Sequence, residues 1–356
     1  MKKSLIREII KIIYTNLVLI LIGILGIEIF YKISNKEPLI NLNRYGIPRL
    51  KCNSNTIYDV SNIYESNEPV KSLYIRNKKC YRSFNNSSLP KILVIGGSTT
   101  DERYVNEGQT FIDLLDIEFK NKIDFINGGV DGQSSHGHLY SIINWHSKAW
   151  KKEALREIIF FIGTNDREIY RENRAYIPHY PNRRKLRDFL DSNSKIYRFI
   201  KGIYLSKKIP KNTAVIAAHQ KKFKFVENKN LINIEKSANS INYTNHFKNL
   251  ILETLNIFPN TSIKIIQQQI SGCRFIDEFT VIDRHGKDSN ICYDLGSVYV
   301  AMDKVVGEVD SNLKSRVSIH KMYLERIIED EDLYDAVHTK IKGSKKIADY
   351  ISSLYE

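Results

Sequence analysis

Four polar turns carry the residue types that could do chemistry. In chain order they are Gly96-Gly97-Ser98-Thr99-Thr100, Asn127-Gly128-Gly129-Val130-Asp131-Gly132, Gly163-Thr164-Asn165-Asp166 and Asp335-Ala336-Val337-His338-Thr339. A serine hydroxyl is a weak nucleophile until a base takes its proton, and that base needs a third group to fix its tautomer. Ser98 is the candidate nucleophile, His338 the candidate base and Asp335 the candidate orienting group. The Asp-x-x-His spacing lets the carboxylate reach one imidazole nitrogen within a turn and leaves the other for Ser98. Attack on an acyl carbon creates an oxyanion, and donors fixed where that charge develops commonly contribute about 2.7–4 kcal/mol each. The backbone N–H of Ser98, the backbone N–H of Gly132 and the side-chain amide of Asn165 are the candidates. Gly132 suits the role because a residue without Cβ lets backbone approach substrate closely.

Each turn alone has a plainer reading. An isolated Asp-x-x-His is usually a surface pair, Gly132 a turn residue, and Asn165 an Asx-turn former with Asp166 as a helix cap. Their placement argues otherwise. Ile92–Ile95, Ile123–Ile126 and Ile158–Ile162 are apolar runs of strand length, and the first three turns follow their ends. Helical patterns occupy Thr110–Phe119 and His138–Trp150 between them. Strands alternating with helices predict an α/β fold with a parallel sheet, whose ligands bind beyond the carboxyl ends of the strands. A helix over Asn242–Phe258, a strand over Ser262–Gln267, a further strand over Ser315–His320 and a last helix near Gly343 bring the sheet to about five strands.

On these turns the chain resembles the SGNH hydrolases, also called GDSL-type esterases, from about Lys91 to the C-terminus. The resemblance implies a flavodoxin-like three-layer α/β/α domain. It makes Ser98 the nucleophile, Ser98, Gly132 and Asn165 the oxyanion donors, and His338 the base supported by Asp335. The segment His338-Thr339, Lys342-Gly343 and Ile347-Ala348-Asp349-Tyr350 is also similar to the family's last block. One departure is Gly97, where the family usually has aspartate. Family members act on esters and acyl groups of many kinds, so the resemblance implies an esterase or acyltransferase. The resemblance calls for no cofactor and no metal. The substrate expectation, O-acyl groups of cell-surface glycans or lipid-linked saccharides, comes instead from the N-terminal apolar segment, the export it implies and the basic stretch after Asp166.

At 356 residues and 42% hydrophobic the chain can fold as one large α/β domain with insertions. The net charge of +14 is concentrated: Arg167–Lys229 holds 17 Lys and Arg against 5 Asp and Glu. This basic insertion, at about 167–235, points to an anionic surface or to a solvated face, with Arg183, Arg184, Lys185 and Arg187 as candidate substrate contacts. It lacks zinc spacing and RRM-type aromatics, so nucleic acid is not expected. After a short tail over residues 1–11, residues 12–31 form an apolar stretch that reaches the ~20 residues a spanning helix needs. No small-residue cleavage site follows, which predicts an uncleaved single transmembrane anchor. Charges on both sides of it scarcely set the orientation; the short tail favours an extracytoplasmic catalytic domain. Residues 32–90 read as a spacer or small irregular cap.

Cys52, Cys80, Cys273 and Cys292 fall into two local pairs, compatible with two disulfides or with four free thiols. Neither pair has C-x-x-C spacing, which argues against a zinc or redox site. Two other functions compete with catalysis. A glycan-binding or assembly protein of the same fold would be expected to have lost Ser98 or His338, and both are present. A phosphate-binding loop would need a Walker lysine or G-x-G-x-x-G, and neither turn has one.

Overall fold

The computed structural model describes residues 7–8, 11–16, 18–20, 22–24, 26, 52–61, 63–64, 71–82, 88–150, 154–167, 194, 197, 230–234, 241–285, 290–309 and 311–356. The chain divides into two compact units, one of Met1–Pro38 with Tyr180–Lys211, the other of Leu39–His179 with Asn212–Glu356. In the first unit every described position from Lys11 to Gly26 is helical and exposed. No helix among the described residues is long and apolar enough to cross a membrane, so the spanning helix expected over 12–31 is not found among them. Residues 17, 21, 25 and 27–31 of that expectation lie outside the described residues.

The second unit is built on a parallel sheet. Its strands are β3 (Lys91–Gly96), β4 (Asp124–Asn127), β5 (Leu155–Ile162), β7 (Ser262–Gln267) and β10 (Val317–His320), in the order β10-β7-β5-β3-β4. Every strand pair is parallel. Side chains alternate across a strand, so β3 serves two cores. Leu93 and Ile95 face one layer with Ile142, Phe247, Leu250, Val298 and Met302, from helices Ile241–Ile257 and Ile291–Gly307 and the helical segment over 135–149. Ile92 and Val94 face the other with Phe111, Leu115, Ile347 and Ile351, from helices Phe111–Glu118 and Ile341–Ser353. The interior strand β3, between β5 and β4, is buried at all six positions, as a sheet covered on both faces requires. The result is the expected three-layer α/β/α arrangement.

Two smaller sheets flank it. β1 (Ser54–Asp59) and β2 (Lys71–Arg76) pair antiparallel within the segment expected as a spacer or cap. β6 (Asn230–Asn233), β9 (Thr280–Asp283) and β8 (Cys273–Phe275) form the other. Disulfides join Cys52 to Cys80 and Cys273 to Cys292. Apolar periodicity left these short strands unmarked because β1 buries no side chain and the buried positions of β2 and β9 include the polar Ser72, Arg76 and Asp283.

Candidate active site

The turn after β3 places Ser98 at the start of a single helical turn, Ser98–Asp101. A first-turn residue has no intrahelical acceptor for its N–H. Ser98 Oγ lies 2.7 Å from His338 Nε2, and His338 Nδ1 lies 2.7 Å from Asp335 Oδ2. The second Asp335 oxygen accepts from the backbone N–H of Val337 and of His338, at 2.8 Å each. The carboxylate is therefore held by its own loop before it orients the ring. Residues 240 positions apart meet because the terminal helix packs on the face of β3 and brings the loop before it to that strand's end.

Gly132 adopts φ +71°, a left-handed conformation that favours glycine. A Cβ there would meet nothing within 4 Å, so backbone conformation, not crowding, explains the glycine in this structure. The Asn165 amide donates to the Gln133 carbonyl at 2.9 Å, which fixes one N–H and leaves the other for a ligand. That amide also sits over Gly97, where an added Cβ would overlap Asn165 Nδ2. A side chain at 97 would require that amide to shift. The structure thus brings Ser98, His338 and Asp335 together, and ties Asn165 to the loop that carries Gly132. Arg183, Arg184, Lys185 and Arg187 lie outside the described residues.

Several residues that support the site were not legible in the sequence. Arg76, at the end of β2, is 2% exposed and donates to Asp101 Oδ1, to the Gly129 carbonyl and to the Cys80 carbonyl, each at 2.6 Å. Arg82 is fully buried and donates to the carbonyls of Asp101, Glu102 and Val105. The Arg76 guanidinium cross-links the turns that carry Ser98 and Gly132, and that of Arg82 ties the end of the Ser98 turn to the loop after it. Burial alone would raise the Asp101 carboxyl; Arg76, Arg103 and Arg82 outweigh it and hold the group below its ordinary range. Nothing in the local pattern around residues 76–82 distinguishes these arginines from exposed ones.

Asp166, read as a helix cap, is 1% exposed and accepts from Ser135 N–H at 2.7 Å and from the Tyr243 hydroxyl at 3.2 Å. Burial pushes it up to about 6. The Gln268 side chain reaches across from β7 to Thr99 Oγ1 and to Thr164 N–H, linking two active turns. Tyr334 stacks on the His338 ring with centroids 5.5 Å apart. Cys273, His285 and Cys292 each place a ligand atom within 4.8 Å of the others, but the two sulfurs are bonded to each other. A metal would need them as thiolates.

The chain is similar to GDSL-type lipolytic enzymes of known structure. No family model matches it, and no curated protein does. A member of the lipolytic protein G-D-S-L family from Veillonella parvula shares 14% identity, covering 74% of this chain and 97% of its own, with a TM-score of 0.40. Axe2, an acetylxylan esterase from Geobacillus stearothermophilus, shares 11% identity over 76% of this chain and 95% of its own, at 0.42. The family 3 carbohydrate esterase of Clostridium thermocellum shares 13% over 74% and 94%, at 0.39.

Proposed function

We propose that this chain is a serine esterase or acyltransferase of the SGNH type, acting on O-acyl groups, O-acetyl first among them, of cell-surface glycans or lipid-linked saccharides. The carrying observation is the continuous relay Asp335–His338–Ser98, with both hydrogen-bond distances at 2.7 Å. Asp335 accepts from Nδ1–H, so the Nε2 lone pair faces the Ser98 hydroxyl. His338 takes that proton as Ser98 Oγ bonds to the acyl carbon. The Ser98 and Gly132 N–H groups, with the Asn165 amide, would receive the oxyanion. His338 then protonates the leaving alcohol, and the acyl-enzyme passes its acyl group to water or to a sugar hydroxyl. Both routes use the same residues. Because only a neutral imidazole can take the proton, activity is expected to fall on acidification.

We infer also that the N-terminal segment is a membrane anchor that keeps the catalytic domain on the extracytoplasmic side. Exposed Ile12, Ile13, Leu19, Ile20 and Ile22 support that reading, since such side chains favour lipid over water. Two bonded cysteine pairs fit an oxidising compartment. A glycan-binding role without catalysis is the alternative. A fluorophosphonate probe separates the two: labelling of the wild type and not of Ser98→Ala supports the enzyme, and no labelling of folded protein favours the binding role. Deleting the gene and weighing surface saccharides by mass spectrometry tests the substrate, and an unchanged O-acyl content would rule this class out.

A further inference from the structure

The nucleophile and the base sit on separate loops, and beyond their own hydrogen bond something must hold those loops in register. Glu102 lies four residues after Ser98, at the end of the single helical turn, where its N–H donates to the Ser98 carbonyl at 2.9 Å. Its backbone adopts φ 42° and ψ 41°, the left-handed region that non-glycine residues occupy at a cost. That conformation ends the turn and is accompanied by a carboxylate directed into the protein, 5% exposed. One oxygen accepts from the Thr339 hydroxyl and from the Ser344 hydroxyl, at 2.6 Å each. The other accepts from the Phe111 N–H at 2.8 Å. Thr339 directly follows His338, Ser344 lies in the terminal helix, and Phe111 opens the helix after the nucleophile turn.

We propose that Glu102 is the positioning residue of the site, a buried carboxylate strut that sets the distance between Ser98 and His338. This rests on the esterase reading above. The base loop is otherwise closed mainly on itself: Leu333 bridges Thr339, Tyr334 N–H donates to the His338 carbonyl, and Lys340 N–H donates to the Asp332 carbonyl. Ser271 N–H binds the same loop at the Ala336 carbonyl, on the β7 side. Glu102 provides a side-chain link from the nucleophile turn to the residue beside the base. Burial pushes its carboxyl up to about 7 against the hydroxyl and amide donors that favour the charged form, and the neighbourhood retains it despite that cost.

The test uses the full-length protein with Thr339→Val, Thr339→Ser and Glu102→Gln. Valine keeps the shape of threonine and removes its donor; serine restores the donor. Glutamine can accept from Phe111 with its oxygen while its amide donates to the two hydroxyls, which rotate to accept. A misplacement of about 1 Å can cost roughly 100-fold in rate. Thr339→Val is therefore expected to lower kcat on p-nitrophenyl acetate and the rate of fluorophosphonate labelling by about tenfold or more. KM should stay within about twofold, because the ground-state contacts remain. Thr339→Ser and Glu102→Gln should recover most of the rate. The Nδ1 proton resonance of His338 is read in parallel, since it reports ring placement even in a chain that turns over nothing. A folded Thr339→Val with wild-type labelling rate and unchanged resonance overturns the strut, as does a resonance shift that Thr339→Ser does not restore. If the wild type is not labelled, the esterase reading fails and the resonance alone decides the strut.

Discussion

The side-chain amide of Asn165 occupies the space over Gly97 that a side chain at position 97 would need. A side chain at 97 therefore requires the Asn165 amide, the proposed oxyanion donor, to move from where it stands. Putting back the aspartate of related first blocks, Gly97→Asp, should therefore lower activity, because the new side chain pushes Asn165 from its bond to the Gln133 carbonyl. Loss of one oxyanion donor costs on the order of 10²–10³ in kcat. Steady-state kinetics of Gly97→Asp against Asn165→Ala check this; wild-type turnover in Gly97→Asp would show that the amide has somewhere else to go.

Asp335→Asn should keep the fold and lose turnover by roughly 10⁴-fold. The amide oxygen still accepts from Val337 and His338 N–H, so the loop holds, but the NH2 group faces His338 Nδ1 and selects the wrong tautomer. Circular dichroism and kcat together test it, and unchanged turnover would remove Asp335 from the orienting role.

Arg76→Met should destabilise the catalytic domain by about 3–5 kcal/mol, since it leaves the carboxylate of Asp101 buried with one guanidinium fewer. Arg103 still pairs with Asp101 at 3.0 Å, which limits the loss. Arg76→Lys should not rescue it, because an ammonium cannot donate in a fork to Asp101, Gly129 and Cys80 at once. Urea denaturation gives the measurement, and a loss under 1 kcal/mol would contradict the cross-link.

Stability should fall as pH drops from about 6.5. Burial lowers His138 and His146 to about 3 and His246 to about 4, so the unfolded chain takes up these protons first, and stability is lost through that window. Four buried or part-buried carboxyls oppose it, Glu107 and Asp303, both raised by burial, among them. Burial raises Glu102 from 4.5 to about 7 and Asp166 from 3.8 to about 6, so the folded state holds those protons, and their contribution declines as pH rises. Burial also lowers His285 and His320, and the five histidines outweigh the four carboxyls near pH 5. Removing one opposing group with Glu102→Gln should steepen the acid-side fall. Denaturation midpoints at pH 7, 6 and 5 decide the sign; a midpoint that rises on acidification would reverse the balance.

Much of the architecture was legible because a covered parallel sheet needs apolar strands. Ser262–Gln267 was expected as a strand and is one, and Ile92–Ile95 falls within Lys91–Gly96. The helix over Thr110–Phe119 is bounded as its side chains require, with Thr110 as N-cap in a capping box with Asp113. The expected strand over Ser315–His320 is shorter, Val317–His320. The long helix Ile291–Gly307 was not anticipated, although it buries Leu295, Val298, Ala301, Met302 and Val305 at helical spacing.

The sequence by itself determined which groups were available: a serine after a buried strand, a histidine three residues after an aspartate, and glycine and asparagine in the intervening turns. Residue type and local spacing settle that much, because a strand, a turn and an Asp-x-x-His loop are short-range structures. Only the tertiary structure decided that Ser98 and His338 meet, that Asn165 fills the space over Gly97, and that Arg76, Arg82 and Glu102 bind the turns together. Those contacts join residues far apart in the chain. They depend on strand order and helix packing, and a buried arginine or glutamate carries no local mark that separates it from an exposed one.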